Sequence, residues 1–185
     1  MSVAIALLRG INVGGNRKLP MEDLRAICGL IGLRDARTLI QSGNVVFRCA
    51  ARDLPRAASK LEDAIEKRFK FRPGVVVRSV EQLRSITTTH PFAGRQGLDP
   101  AKFVVMFLAC EPDASAQKAL GAIRPDPEEL ALAGTEVFLY FPLGIGKARL
   151  PMATVERAVK VPGTCRNWNT TTRLLAMAEE LHAAE

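Results

Sequence analysis

Apolar and polar positions alternate along this chain with two recognisable periods. Residues 3–8, Val-Ala-Ile-Ala-Leu-Leu, are a continuous apolar run of strand length that stops at Arg9-Gly10. Beyond Pro20, Leu24, Ile27, Cys28 and Ile31 fall at i, i+3, i+4 and i+7, one face of a helix that Gly32 ends. Two short strand-like runs follow, 36–41 and 45–49, joined through Ser42-Gly43-Asn44 as a tight hairpin with Gly43 or Asn44 at positive φ. Asp53 is placed to cap the next helix, whose Leu61, Ile65 and Phe69 stripe is stopped by Pro73-Gly74, and 75–78 supplies a further strand. Strand, helix, strand, strand, helix, strand predicts a ferredoxin-like βαββαβ subdomain over residues 1–79.

The pattern then changes. Residues 80–88 predict a connecting helix, and 90–101, with two prolines and two glycines, read as a linker between subdomains, so 80–101 separates the two halves. Residues 102–185 predict a second, smaller α/β subdomain. Its elements are a strand at 103–109, a helix at 113–123, a hairpin about Gly134, and two C-terminal helices, 151–160 and 168–183. The class expected for the whole is α+β. One echo suggests duplication: Arg17-Lys18-Leu19-Pro20-Met21 is answered by Lys147-Ala148-Arg149-Leu150-Pro151-Met152, each between glycines and a helix.

Composition adds a charge asymmetry. Residues 1–95 hold 17 basic and 8 acidic side chains, whereas 96–185 hold 9 and 11. That bias favours phosphates, nucleic acid or an acidic partner. At 48% hydrophobic residues the core needs neither metal nor disulfide. Cys28, Cys49, Cys110 and Cys165 are widely spaced with no C-x-x-C pair, which suits reduced thiols. No apolar run reaches membrane-spanning length and no signal-peptide pattern opens the chain, so a cytoplasmic protein without membrane contact is expected.

The candidate chemistry lies in three stretches. Leu7–Met21 is a glycine-rich strand-to-helix loop bearing Arg9, Arg17 and Lys18; amides freed by Gly10, Gly14 and Gly15, with the helix N-terminus behind them, would hold an anion. It matches neither G-x-x-x-x-G-K-[ST] nor G-x-G-x-x-G, and a tight turn also accounts for the glycines. Gly144-Ile145-Gly146-Lys147 is a second such loop, and the two would face one another across a cleft. Before the last helix, Arg166-Asn167-Trp168-Asn169 combines a guanidinium fork, amides and the only tryptophan; one Asn is needed as a helix cap, the rest suits recognition of a flat, polar ligand. Two histidines, His90 and His182, neighbour no nucleophile in sequence, so no general base is assigned and no reaction class follows.

Three of these motifs carry a family resemblance. Leu7-Leu8-Arg9-Gly10-Ile11-Asn12-Val13-Gly14-Gly15, Ile40-Gln41-Ser42-Gly43-Asn44-Val45-Val46-Phe47 and Arg166-Asn167-Trp168-Asn169-Thr170 occur in the order and spacing of the bacterial family known as domain of unknown function 1697, which the chain resembles from near Val3 to near Leu181. The resemblance implies a small cytosolic protein with a ferredoxin-like first half and brings no established activity. Where that family more often has Gly-x-x-x-Ser-Lys-Leu, this chain has Gly144 to Leu150 with Ala148 and Arg149 in place of serine and lysine, so a cation is kept and a hydroxyl lost. The expectation is a ligand-binding protein whose basic cleft holds a phosphate-bearing, nucleotide-like small molecule. Its candidate ligand-binding residues are Arg9, Asn12, Gly14, Gly15, Lys18, Gln41, Asn44, Lys147, Arg166, Asn167, Trp168 and Asn169. The competing expectations are a nucleic-acid-binding module, which the 5% aromatic content disfavours for base-reading sheets, and a protein-interaction role.

Overall fold

A computed structural model describes residues 1–184. The opening apolar run becomes β1 (Ser2–Arg9), and its lack of alternation has a simple cause: it is an inner strand buried on both faces. It pairs antiparallel with β3 (Asn44–Cys49) and β4 (Gly74–Ser79), while β2 (Arg34–Leu39) flanks β3, giving the order β2-β3-β1-β4. Helices α1 (Met21–Leu30) and α2 (Ala57–Phe69) cover one face, where Ala4, Ala6, Leu8, Val45 and Phe47 meet Leu24, Ile27, Leu61 and Ile65. Each such Leu or Ile contributes about 1.5–3 kcal/mol by leaving water. This is the ferredoxin-like arrangement expected of the first half.

One local expectation is corrected. Asp53 does not cap α2; it lies in a 3-10 turn, Ala51–Arg56, that leads into the helix, and its carboxylate is 2.9 Å from Lys60 Nζ. Pro55, which cannot donate to a helical ladder, explains why the α-helix begins two residues later at Ala57.

The chain divides into two compact units, Met1–Arg84 together with the segment from Arg173 onward, and Ser85–Thr172. The divisions fall within α3 (Val80–Thr88) and within α6 (Trp168–Ala183). On the second face of the first sheet, Val3, Ile5, Leu7 and Arg48 are buried as well. Arg48 there bonds to the Leu181 carbonyl of α6 and lies 3.2 Å from Asp35, so its charge is neutralised where water is scarce.

In the second unit β5 (Phe103–Leu108), α4 (Ala114–Ala122), β6 (Glu129–Ala133), β7 (Glu136–Tyr140), α5 (Met152–Val159) and β8 (Gly163–Asn167) follow in turn, and the strands are ordered β6-β7-β5-β8. Element order and strand order therefore repeat those of the first unit. Strand β8 is the element the sequence pattern does not reveal. Gly-Thr-Cys-Arg-Asn has no run of apolar residues, and it is a strand because β5 offers it a complete antiparallel ladder, Val105 opposite Arg166 and Phe107 opposite Thr164. Helices α4 and α5 pack on Val104, Met106, Leu108, Val137 and Leu139.

The repeated fold does not align the echoed loops. Leu19-Pro20-Met21 lies between β1 and α1, but Leu150-Pro151-Met152 lies between β7 and α5; the counterpart of the first loop in the second unit is Ala109-Cys110-Glu111-Pro112-Asp113. What the tripeptides share is a local task. Each proline, with ψ 140° and 135°, turns the chain into a helix that begins at the methionine.

Candidate functional site

The glycine-rich loop after β1 is a small hairpin. Asn12 N–H donates to the Arg17 carbonyl at 3.2 Å and Asn16 N–H to the Val13 carbonyl at 3.2 Å, with Gly14 (φ 59°) and Gly15 (φ 80°) at the tip. Two successive positive φ values are what a two-residue hairpin turn of this hand requires, which accounts for both glycines sterically. The Asn12 side chain holds the base of the hairpin: its Nδ2 donates to the Leu19 carbonyl (2.9 Å) and the Gln41 carbonyl (2.8 Å), and its Oδ1 accepts from Leu19 N–H (2.8 Å). Asn44 does similar work from β3. It is buried, and its Nδ2 donates to the Leu39 carbonyl at 3.0 Å and to Ser42 Oγ at 2.9 Å. Gly43 closes the joint: the Leu8 N–H donates to its carbonyl at 2.8 Å, and a Cβ there would stand 2.6 Å from Ile11 Cδ1. The first two motifs of the family resemblance thus form one clamped structure.

Arg9, Arg17 and Lys18 are exposed on this structure, and an ideal Cβ at Gly10 would lie 3.5 Å from Arg17 Nη1, so the Arg17 fork folds back over the end of β1. Residues 7–20 contain no carboxylate. Most carboxylates of the first unit face cations elsewhere: Asp23 pairs with Arg68, Asp35 with Arg48, Asp53 with Lys60, and Glu62, Asp63 and Glu66 with Arg72. The α1 N-terminus, expected to add to an anion site, already carries Glu22 and Asp23 in its first turn, so the cations and not the helix end supply the positive potential.

The second unit holds a concavity of about 190 Å³. Its walls are rings: Phe103 lies 4.7 Å from Trp168 between centroids, His90 lies 4.8 Å from Trp168, and Phe92 meets Phe103 edge-on at 5.5 Å. Arg95 and Leu98 complete the lining. Arg95 binds Glu129 through Nη1 and lies 5.7 Å from the Tyr140 ring centre. Burial among these rings holds the His90 imidazole below its ordinary pKa of 6.5, and Nδ1 is enclosed without a hydrogen-bond partner among the described residues.

The remaining candidates take other positions. Arg166, 8% exposed, is on the sheet face opposite α4 and α5 and donates through Nη1 to Thr164 Oγ1 (2.8 Å) and the Cys165 carbonyl (2.7 Å). Burial brings its pKa down to about 10, which leaves it a cation at neutral pH. Asn167 is the helix cap, its Oδ1 accepting from Thr170 N–H at 2.8 Å, and Asn169 is exposed one residue past Trp168 in the first turn of α6. Lys147 is exposed at the end of a 3-10 turn, and two residues on the Arg149 N–H donates to buried Glu128 at 2.7 Å. Of the four residues from Arg166 to Asn169, only Trp168 lines the concavity.

A family model described as "Protein of unknown function (DUF1697)" matches residues 1–138, three-quarters of the chain and both motifs of the clamped hairpin. The chain belongs to this DUF1697 family. Its fold is similar to a solved structure described as that of the conserved bacterial protein SP0830 from Streptococcus pneumoniae, with a TM-score of 0.74, 24% identity, and coverage of 97% of this chain and 99% of that one. No curated protein matches the sequence. The likeness extends the shared fold past the family match, through β8 and α6, but it carries no function across. Among the described residues of this DUF1697 chain, no helix is long and apolar enough to cross a membrane.

The residues that sequence reasoning missed are His90, Phe92, Arg95 and Phe103. Three of them fall in the stretch read as a linker because of its prolines and glycines. A signal was present: a spacer between domains rarely needs a histidine and a phenylalanine two residues apart, since loops are polar where they serve only to connect.

Proposed function

We propose that this protein binds a phosphate-bearing ligand of the nucleotide kind, and that the hairpin at 12–17 is its anion-binding element. One observation carries the reading: Arg17 and Lys18 stand exposed, close to Arg9 in the chain, on a rigidly clamped, carboxylate-free loop, while most acidic residues of the same unit pair with cations elsewhere. Bringing like charges together costs folding stability through mutual repulsion, and an arriving phosphate relieves it. Arginine forks suit phosphate oxygens, and the clamp fixes the loop before the ligand arrives, which limits the entropy lost on binding. Asn12, Gln41 and Asn44 serve here by shaping the loop.

A second reading, binding of a nucleic-acid backbone, is favoured by the openness of the hairpin, since Gly14 and Gly15 have nothing within 4 Å of where a side chain would begin. Calorimetric titration with a nucleoside triphosphate and with a short duplex, each at low and moderate salt, separates them. For a small ligand, Arg17→Ala/Lys18→Ala weakens triphosphate binding at least about tenfold, consistent with the loss of two charge-assisted contacts. For a backbone contact by three cations, duplex affinity falls roughly 40-fold between 50 and 200 mM salt. Triphosphate and duplex affinities that the double substitution leaves unchanged would remove the hairpin from both readings.

A further inference from the structure

The aromatic concavity of the second unit has no assigned ligand, and its walls specify one. Trp168, Phe103 and Phe92 present ring faces and edges at interplanar angles of 36° and 75°, so a flat ring entering among them stacks on one face and meets the next edge-on. A volume of about 190 Å³ lies below the roughly 300–1,000 Å³ of pockets that take whole drug-sized ligands, which fits a single ring system. Polar side chains are sparse: His90 and Arg95 are the two in the lining. His90 contributes an imidazole whose Nδ1 has no hydrogen-bond partner among the described residues, 5.3 Å from Phe103 between ring centres. Arg95 is exposed; Glu129 occupies its Nη1, and the Nε and Nη2 donors bond to none of the described residues. A guanidinium beside the opening disfavours a cationic guest, so the rings do not form a cage for ammonium groups.

We infer that this concavity is a nucleobase-class site: a flat heteroaromatic ring stacks on Trp168, places a ring or exocyclic acceptor on Arg95, and directs a hydrogen-bonding edge toward His90. The inference rests on the nucleotide-like reading for the kind of ligand, but on none of the hairpin residues for its geometry. Its discriminating contacts are the polar ones, because every base offers a π-face and stacking alone chooses weakly among them.

The protein has a single tryptophan, so its fluorescence reports this wall directly. The full chain is titrated with adenosine, guanosine, cytidine and uridine, with ribose 5-phosphate as the base-free control and choline as the cationic one. The expected result is saturable quenching by at least one nucleoside, none by ribose 5-phosphate or choline, and affinity about tenfold weaker in Arg95→Gln, a surface substitution, and in His90→Gln. Failure of all four nucleosides to quench, quenching unaltered in Arg95→Gln, or a response to choline would overturn it. Nucleosides carry no phosphate, so Arg17→Ala/Lys18→Ala is expected to leave this quenching as it is. Loss of triphosphate binding with retained nucleoside quenching, or the reverse, tells which of the two sites has failed.

Discussion

Replacing Gly43 by alanine tests whether the clamped hairpin is held by packing as tightly as its geometry requires. Gly43 has φ +73°, and an added Cβ would stand 2.6 Å from Ile11 Cδ1 and 2.8 Å from Leu8 Cβ. Two costs follow. A left-handed conformation costs an L-residue about 1–2 kcal/mol, and forcing a methyl into a filled site about 1–3 kcal/mol more, giving roughly 2–5 kcal/mol in total. Gly14→Ala is the control, because its φ of +59° imposes the first cost while nothing lies within 4 Å to impose the second. Gly163→Ala is the converse: its Cβ would meet Leu108 Cδ2 and the Phe107 carbonyl oxygen at 2.9 Å, with no backbone penalty. Urea denaturation of the three variants reads the terms separately, and Gly43→Ala should exceed Gly14→Ala by about 1–3 kcal/mol. Equal losses in those two would show that Leu8 and Ile11 move aside at no cost, and the argument that the turn and the hairpin are one packed unit would fail.

Three further outcomes are expected. Asn12→Ala strips the Leu19 and Gln41 contacts and destabilises by about 1–3 kcal/mol, whereas Asn12→Asp keeps the acceptor for Leu19 N–H; amide exchange at Leu19 should therefore quicken in the first and stay slow in the second. Thiol modification of the native protein should begin at exposed Cys110 and spare Cys28 and Cys49, both buried, with burial pushing the Cys28 pKa up to about 12; early labelling of Cys28 would contradict the packing of α1. His90 has a folded pKa below its ordinary 6.5, so just below pH 6.5 the unfolded chain binds the proton that the native state refuses. Stability then falls as pH drops from 6.5 toward the folded value, and His90→Phe should flatten that part of a stability-against-pH curve; an unchanged slope would place the imidazole in water.

The first half was legible because its two periods are clean: an inner strand without polar residues, a helix stripe at i, i+3 and i+4, and a hairpin marked by Ser42-Gly43-Asn44. The second half was legible only where burial writes itself into composition. Strand β8 escapes because an edge strand owes its form to the ladder that β5 provides, and Gly163-Thr164-Cys165-Arg166-Asn167 shows no alternation that a reader could use. The basic hairpin was visible as charge, yet the actual work of Asn12 was not, since an asparagine that bonds both to Leu19 and to Gln41, 29 residues further along the chain, looks the same in sequence as one that awaits a ligand. The aromatic concavity is the extreme case. Its rings come from positions 90, 92, 103 and 168, no two of which belong to one periodic element, and only the return of the chain along β8 brings Trp168 back to Phe103. Periodicity reports what an element buries against its own neighbours; a site assembled from the ends of several elements leaves no period, so it has to be inferred from residues that the local structure does not need. Trp168 met that test in the sequence, because Asn167 alone suffices to cap α6. His90 meets it in the structure, where an enclosed ring nitrogen with nothing to bond is an arrangement that folding alone does not favour.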